Sequence, residues 1–213
     1  MKRILLFTII SVFTFSFSNA QINKGTIFLG GGIYASDVKN DFNGTSSNNT
    51  TEIGFSPAIG LAIKDNLITG VRLGYSSYSY KPSNSSNDTR HGYGGGIFIR
   101  KYMPLGKSFY LFGDASANYN YYKQENTYQT VTSTDLLNSA GISLYPGIAY
   151  SVSKHFQLEA SINNLLNLYY TKSDHNQPDP NNPSHYSNSG MTFSVNANGM
   201  SALNIGFRFM IGK

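Results

Sequence analysis

The sequence predicts an all-β fold: an eight-stranded antiparallel transmembrane β-barrel with short periplasmic turns and longer extracellular loops. Three observations support this prediction. Apolar residues alternate with polar or small residues over eight stretches, helical periodicity is almost absent between them, and long and short polar connections follow each other in turn. Eight strands that are each apolar on one face are better explained by a closed sheet whose apolar face contacts lipid than by a soluble core.

The first three predicted strands span residues 25–36, 51–63 and 67–80. A polar loop at 37–50 separates the first two, and the Lys64–Asn66 turn joins the second to the third because Asx residues favour tight turns. The second strand shows the pattern well, since its odd positions are apolar and its even positions are small or polar. The apolar members are Ile53, Phe55, Ile59, Leu61 and Ile63.

The next three predicted strands span residues 90–102, 108–122 and 135–150. The fifth strand alternates most cleanly. Polar loops at 81–89 and 123–134 precede the fourth strand and follow the fifth. A turn at 103–107, with Pro104 and Gly106, joins the fourth strand to the fifth.

The last two predicted strands span residues 155–170 and 201–211, and the alternation of the eighth continues back to Met191. A turn at 151–154 precedes the seventh strand, and the longest polar loop, 171–190, follows it. Each strand has at least the ~9–11 residues that a tilted crossing needs. The sheet must close, because unpaired backbone groups in lipid each cost several kcal/mol.

The beginning of the chain predicts export. Lys2 and Arg3 precede an apolar run at 4–17, and Ser18-Asn19-Ala20 supplies small residues for a signal peptidase. The interpretation is therefore a cleaved secretory signal peptide at 1–20, used by the Sec pathway, followed by a barrel domain at 21–213. A buried N-terminal helix is the alternative explanation of the same run.

Composition excludes several classes of protein. The chain has no cysteine, so it has no disulfide framework, lipoprotein attachment site or thiolate chemistry. Charged residues make up 13%, and the formal charge of +5 falls by two when Lys2 and Arg3 are removed. No basic stripe interleaved with aromatic residues is present, so nucleic-acid binding has no support.

Five charged residues fall on the inward parity of the predicted strands: Arg72, Arg100, Asp114, Glu159 and Arg208. On the lipid face, arginine would cost about 2–4 kcal/mol near the middle of the bilayer. Glu159 is expected at the height of Arg208, and Asp114 at the height of Arg72. The functional interpretation is a gated polar path. The structural one is a network of salt bridges that fills the lumen, which is favoured because side chains nearly fill an eight-stranded barrel.

The chain resembles the small outer-membrane β-barrel proteins of Gram-negative bacteria, of the OmpA/OmpX-like superfamily, and among them the porin-like barrels of Bacteroidota. The most specific residues are Asn204, Gly206, Phe209 and Ile211, which resemble the signal read by the barrel-assembly machinery. The chain departs from that signal by ending in Gly212-Lys213. The resemblance implies insertion into the outer membrane, in contact with its lipid and lipopolysaccharide, but it does not fix a function. We predict a monomer.

A second resemblance suggests an enzyme. His185, Ser187 and Asn188 are similar to the His-x-Ser-Asn segment of lipid A 3-O-deacylases, which implies a base, a nucleophile and an oxyanion donor. A serine hydrolase also needs an acid that orients its base, and neither Asp nor Glu follows Asp179. The prediction is therefore a non-enzymatic protein, with a lipid A deacylase-like hydrolase as the alternative.

No cofactor or metal is expected. Asp174, His175, Asp179 and His185 match no metal-ligand spacing, and the Gly30–Gly32 and Gly94–Gly96 runs lack the helix and lysine of a phosphate loop. The predicted role is structural, surface-interacting or porin-like with restricted passage of small solutes, and the polar loops could contact an extracellular ligand.

Overall fold

The computed structural model describes residues 21–42, 46–82, 86–128, 131–162, 165–179, 183–195 and 203–212. The predicted signal peptide, 1–20, lies outside them. The described residues form twelve strands. These are β1 (Ile27–Gly31), β2 (Ile33–Phe42), β3 (Ser46–Phe55), β4 (Ala58–Lys64), β5 (Leu67–Lys81), β6 (Ser86–Pro104), β7 (Phe109–Tyr128), β8 (Val131–Ser151), β9 (Phe156–Ile162), β10 (Leu166–Gln177), β11 (Ser184–Val195) and β12 (Leu203–Ile211).

The predicted count of eight strands is wrong, because the first, second and seventh predicted strands are each divided in two and β11 lies mostly in the predicted loop 171–190. The first breaks at Gly32, and the second at Ser56 and Pro57. Pro57 has no backbone N–H to give to a neighbouring strand. The two breaks lie side by side, since Ser56 N donates to Gly32 O at 2.8 Å. In the seventh predicted strand, β9 ends at Ile162 and β10 begins at Leu166.

Every strand pair is antiparallel, and eight of the twelve strands form a closed circuit of pairings. β1 pairs with β12 from Ile27↔Ile211 to Gly31↔Phe207, and β12 continues the wall by pairing with β9. The circuit runs in the order β1, β4, β5, β6, β7, β8, β9, β12 and back to β1. Because the circuit closes, this part of the sheet has an inside and an outside.

Most described residues of the four predicted polar loops lie in strands, so the prediction that these segments are loops is wrong. β2 and β3 pair as far as Phe42↔Ser46, β7 and β8 as far as Tyr128↔Val131, and β10 and β11 as far as Gln177↔Ser184. Backbone hydrogen bonds between strands do not require an apolar face. Where both faces of a hairpin are polar, the sequence loses its alternation and looks like a loop although the pairing continues.

At the opposite end of the sheet the connections are short. Asp65 and Asn66 alone separate β4 from β5, and Asn66 adopts a φ of 60°. Residues 21–26 lie against this end. Ile22 N donates to Asn66 Oδ1 at 2.9 Å, and Asn66 N donates to Ile22 O at 2.8 Å. The Ile22 side chain is buried with the residues of the core.

The core lies inside the closed sheet, and the outer face is apolar and exposed. The buried apolar side chains include Phe28, Ile68, Phe98, Tyr102, Phe112 and Met210. On the outer face, one continuous row of register partners runs around the wall through Ile59, Val71, Ile97, Ala117, Ile142 and Leu168.

Aromatic side chains pair on the outer face at two levels. Towards the short connections, Phe109 packs on Tyr150 with ring centroids 4.7 Å apart. Towards the extended hairpins, Tyr75 packs on Phe55 at 5.6 Å and on Tyr93 at 5.3 Å. The apolar row of the outer face is thus flanked by aromatic residues on both sides. The described part of the chain contains no helix that could span a membrane.

Candidate functional site

Arg100 occupies the middle of the lumen and joins two carboxylates. Its Nε donates to Asp114 Oδ2 at 2.8 Å, and its Nη1 donates to Glu159 Oε2 at 2.7 Å. The Arg100 and Asp114 side chains are 0% exposed. Asp114 is the register partner of Arg100 on β7, whereas Glu159 lies on β9, which is not a neighbour of β6. The second contact therefore spans the interior.

Two further arginines extend this arrangement in both directions. Arg72 Nη2 lies 3.1 Å from Asp114 Oδ2, and Arg208 Nη2 contacts Glu159 Oε1. The structure thus brings all five predicted lumen residues into one ion-pair chain, in the order Arg72, Asp114, Arg100, Glu159 and Arg208. The sequence predicts no partner for Arg100. In the structure, Arg100 connects the two expected pairs, Arg72–Asp114 and Glu159–Arg208.

Neutral oxygens satisfy other donors of the ion-pair chain. Tyr145 Oη accepts from Arg72 Nη2 at 3.2 Å and from Arg100 Nη2 at 3.4 Å, and Tyr102 Oη accepts from Arg100 Nη1 at 3.3 Å. Arg208 Nη1 donates to the Gly31 carbonyl at 2.9 Å. Such partners matter because a buried charge is tolerated only when it is paired and hydrogen-bonded.

Aromatic side chains pack against the guanidinium groups of the ion-pair chain. The Arg100 guanidinium carbon lies 4.2 Å from the Phe112 ring centroid and 5.3 Å from that of Phe28, and Arg72 lies 4.6 Å from Phe98. Cation–π contacts of this kind are favourable for desolvated arginines. The sequence alone did not indicate that these aromatic residues belong to the site. The alternation could have indicated it. Phe98 lies two residues from Arg100, and Phe112 two residues from Asp114, so each ring shares the inward face of its strand.

A polar cavity of about 270 Å³ borders the ion-pair chain. Arg72 and Arg208 form part of its lining, together with the amide of Asn118 and the hydroxyls of Ser116 and Ser143. The two serine oxygens are 2.8 Å apart, and Asn118 Nδ2 donates to Ser116 Oγ at 2.9 Å. The lumen therefore changes from an apolar, aromatic interior to a polar space at the ion-pair chain.

The three residues of the hydrolase alternative do not all face the same side of the sheet. His185, Ser187 and Asn188 lie on β11, where alternation turns Ser187 and Asn188 to opposite faces of the sheet. Asp174 on β10 is the register partner of Ser187. A hydrogen bond from the Ser187 hydroxyl, supported by Lys172 and by the positive field of His185, lowers the pKa of Asp174. Asp174, which precedes the triplet in the sequence, is thus a nearby acid. However, it accepts a hydrogen bond from Ser187, whereas in a serine hydrolase the acid orients the histidine.

The neighbouring Asp174 and His175, which match no metal-ligand spacing in the sequence, also turn to different faces. His175 turns to the opposite face from Asp174, where its Nδ1 lies 2.6 Å from Asp135 Oδ1 and its ring stacks on Tyr186 at 4.6 Å. Within the described part of the chain, no three His, Asp or Glu side chains are close enough to hold a metal ion.

The residues of the predicted assembly signal divide between the two faces of β12. Phe209 and Ile211 are exposed on the outer face, and Phe209 packs on Phe156 at 5.4 Å. Asn204 lines the polar cavity on the inner face. Gly206 is the register partner of Glu159, and a Cβ there would meet Arg208 Nη1 at 3.1 Å. Gly206 therefore leaves room for the Glu159–Arg208 pair.

No protein-family model and no curated protein sequence matches the chain. Two solved structures of outer-membrane proteins align with it over most of their lengths. The outer membrane protein OprG from Pseudomonas aeruginosa is 15% identical, with 90% of this chain and 98% of OprG covered and a TM-score of 0.48. A major outer membrane protein from Thermus thermophilus is 11% identical, with 87% and 99% covered and a TM-score of 0.45.

Proposed function

We propose that this chain is a non-enzymatic outer-membrane β-barrel protein of a Gram-negative bacterium, exported through the Sec pathway, with a sealed lumen and a surface-exposed interaction region. In this proposal the eight-membered circuit is the transmembrane wall. The barrel-assembly machinery inserts it through the β12 signal, and it functions as a monomer in outer-membrane lipid and lipopolysaccharide.

The outer face supports membrane insertion. Its row of register partners places apolar side chains around the wall, and Ile59, Val71, Ile97 and Ile142 are all exposed. A monomeric soluble protein rarely exposes so continuous an apolar surface. In lipid the same surface is favourable, and closure of the sheet satisfies the backbone groups that lipid cannot.

The ion-pair chain is the observation that carries the proposal of a sealed lumen. It runs from β5 to β12 across the interior, and the buried rings of Phe28, Phe98 and Phe112 pack against its guanidinium groups. A wide porin needs a continuous water path, which these buried side chains occupy. The interior thus favours a structural or surface role over general diffusion.

The extended hairpins supply the surface for that role. The β2–β3, β7–β8 and β10–β11 hairpins continue beyond the closed circuit, and their side chains are mainly Asn, Ser, Thr and Tyr. Such residues combine hydrogen bonding with amphipathic rings, which suits polysaccharide or protein surfaces. These hairpins are therefore the proposed contact with an extracellular ligand.

Planar-bilayer recording tests the sealed lumen. We expect the purified protein to insert without the large, stable conductance steps of a general porin, which a porin added to the same bilayer supplies as the control. Conductance of porin size would contradict the proposal.

A second test replaces residues 37–50 by Asn-Gly, which should leave insertion intact and change cell-surface binding or envelope integrity. No change in any of these properties would remove the surface role.

A further inference from the structure

The ion-pair chain is not electrically balanced. Three arginines, Arg72, Arg100 and Arg208, face only two carboxylates, Asp114 and Glu159. The cluster therefore carries one net positive charge in an interior where Arg100 and both carboxylates are almost wholly buried. An uncompensated charge in such a place is costly, and a bound anion would offset that cost.

Two of the arginines retain donor capacity. Arg208 is 7% exposed, and its Nε is buried with no hydrogen-bond partner. Arg72 contacts Asp114 and Tyr145 through Nη2, and its side chain is 22% exposed, the most accessible of the three arginines. Guanidinium groups bind phosphate and carboxylate with paired N–H donors, so unused donors of this kind favour such ligands.

These two arginines line the same polar cavity, whose described lining contains no carboxylate. The other polar side chains of the lining are neutral groups that can donate hydrogen bonds, and they include Ser116, Asn118, Ser143, Tyr145, Tyr169 and Asn204. The cavity volume of about 270 Å³ is slightly below the range of about 300–1,000 Å³ that is typical of pockets for drug-sized molecules. The cavity therefore suits a small anionic group.

We propose that the polar cavity is a binding site for one phosphate or carboxylate group, held by Arg72 and Arg208 and surrounded by neutral hydroxyl and amide donors. The bound anion brings the net charge of the buried cluster close to zero. The inference rests on the proposed function only in that the lumen is closed beneath the cavity.

The wall beside the cavity leaves two sources for the anion. The β1–β12 pairing ends at Gly31↔Phe207, and among the described pairings β2 is joined to β3 alone and residues 203–206 to β9 alone. Gly32 and Asn204, on the two sides of this seam, both line the cavity. A soluble anion would enter from the side of the hairpins, and a lipid headgroup would enter from the membrane through the seam.

Isothermal titration of the refolded protein with inorganic phosphate, in dodecyl maltoside micelles that contain no anion, tests the site. We expect saturable binding that weakens about tenfold or more in Arg72→Gln, as expected for the loss of a charge-assisted hydrogen bond. Asn118→Asp is a second variant that keeps every arginine and adds a negative charge at the cavity wall, and it should weaken binding as well. Lys107→Gln, which removes an exposed charge in the connection between β6 and β7, is the matched control and should bind as the wild type does.

Micelles doped with phosphatidylglycerol or with uncharged diacylglycerol distinguish the two sources. If phosphatidylglycerol displaces phosphate and diacylglycerol does not, the natural ligand is a lipid headgroup. If neither lipid changes phosphate binding, the natural ligand is a soluble anion. The proposal is overturned if neither phosphate nor phosphatidylglycerol binds saturably, or if Asn118→Asp binds with wild-type affinity. A protein that inserts without conductance and binds no anion would overturn this inference and leave the proposed function intact.

Discussion

Arg100 Nη1 on β6 donates to Glu159 Oε2 on β9 at 2.7 Å, although β7 and β8 separate these strands in the sheet. A contact between strands that are not neighbours joins opposite parts of the wall through the interior. Asp114 on β7 binds Arg100, and Arg208 on β12 binds Glu159, so the ion pairs connect four strands. The interior is thus held by charge as well as by apolar packing.

Glu159→Gln should destabilise the protein strongly. The variant removes a carboxylate shared by Arg100 and Arg208 and leaves two buried arginines without it. Breaking a buried ion pair by removing one partner costs about 3–5 kcal/mol. Thermal and urea unfolding in detergent, followed by circular dichroism and heat-modifiable gel mobility, measure the loss. Glu125→Gln, at an exposed pair with Lys123, is the control and should change stability by less than about 0.5 kcal/mol. Equal stability of the two variants would show that the ion-pair chain contributes little.

Gly30→Ala tests the space that the Arg208 side chain needs. A Cβ at Gly30 would overlap Arg208 Cδ, whereas a Cβ at Gly113, on the outer face of β7, would meet nothing within 4 Å. We expect Gly30→Ala to lose about 1–3 kcal/mol through overpacking. Gly113→Ala should be neutral or slightly stabilising, since alanine has less backbone freedom to lose on folding. Urea-dependent folding into detergent gives both values, and a neutral Gly30→Ala would argue against the position of Arg208.

Ile142→Arg tests whether the outer face contacts lipid. Ile142 is 56% exposed and belongs to the row of apolar register partners around the wall. If that row lies near the middle of a bilayer, arginine there should cost about 2–4 kcal/mol. Refolding into short-chain phosphatidylcholine vesicles at graded urea concentrations measures the cost. Thr132→Arg, near the far end of the β7–β8 hairpin, should refold as the wild type does. Similar refolding of both variants would contradict a membrane position for the row.

Ser187→Ala tests the hydrolase alternative. Asn188 turns to the opposite face from Ser187, and the Ser187 hydroxyl binds Asp174, so the nucleophile and the oxyanion donor of the hydrolase alternative do not face a common site. We therefore expect lipid A from cells that express the wild type and the variant to give identical mass spectra. Loss of a deacylated lipid A species in the variant alone would establish an enzyme and remove the non-enzymatic proposal.

The alternation of apolar and polar residues was enough to predict an antiparallel all-β chain, its three short connections and the inward parity of Arg72, Arg100, Asp114, Glu159 and Arg208. Parity has a direct physical basis, because successive side chains of a strand point to opposite faces. The alternation could not predict the division of strands at Gly32 or Pro57, or the continuation of strand pairing through polar segments. Those depend on backbone hydrogen bonds, which leave no mark on side-chain polarity.

The sequence by itself therefore determined which side chains face inward, since that follows from local periodicity alone. Tertiary structure decided which of them meet. Arg100 reaches Glu159 only because the sheet curls until β6 and β9 face each other, and Asp174 reaches Ser187 only because β10 and β11 pair in one register. Curvature and register are set by the packing and hydrogen bonding of the whole wall, so no local stretch of sequence contains them.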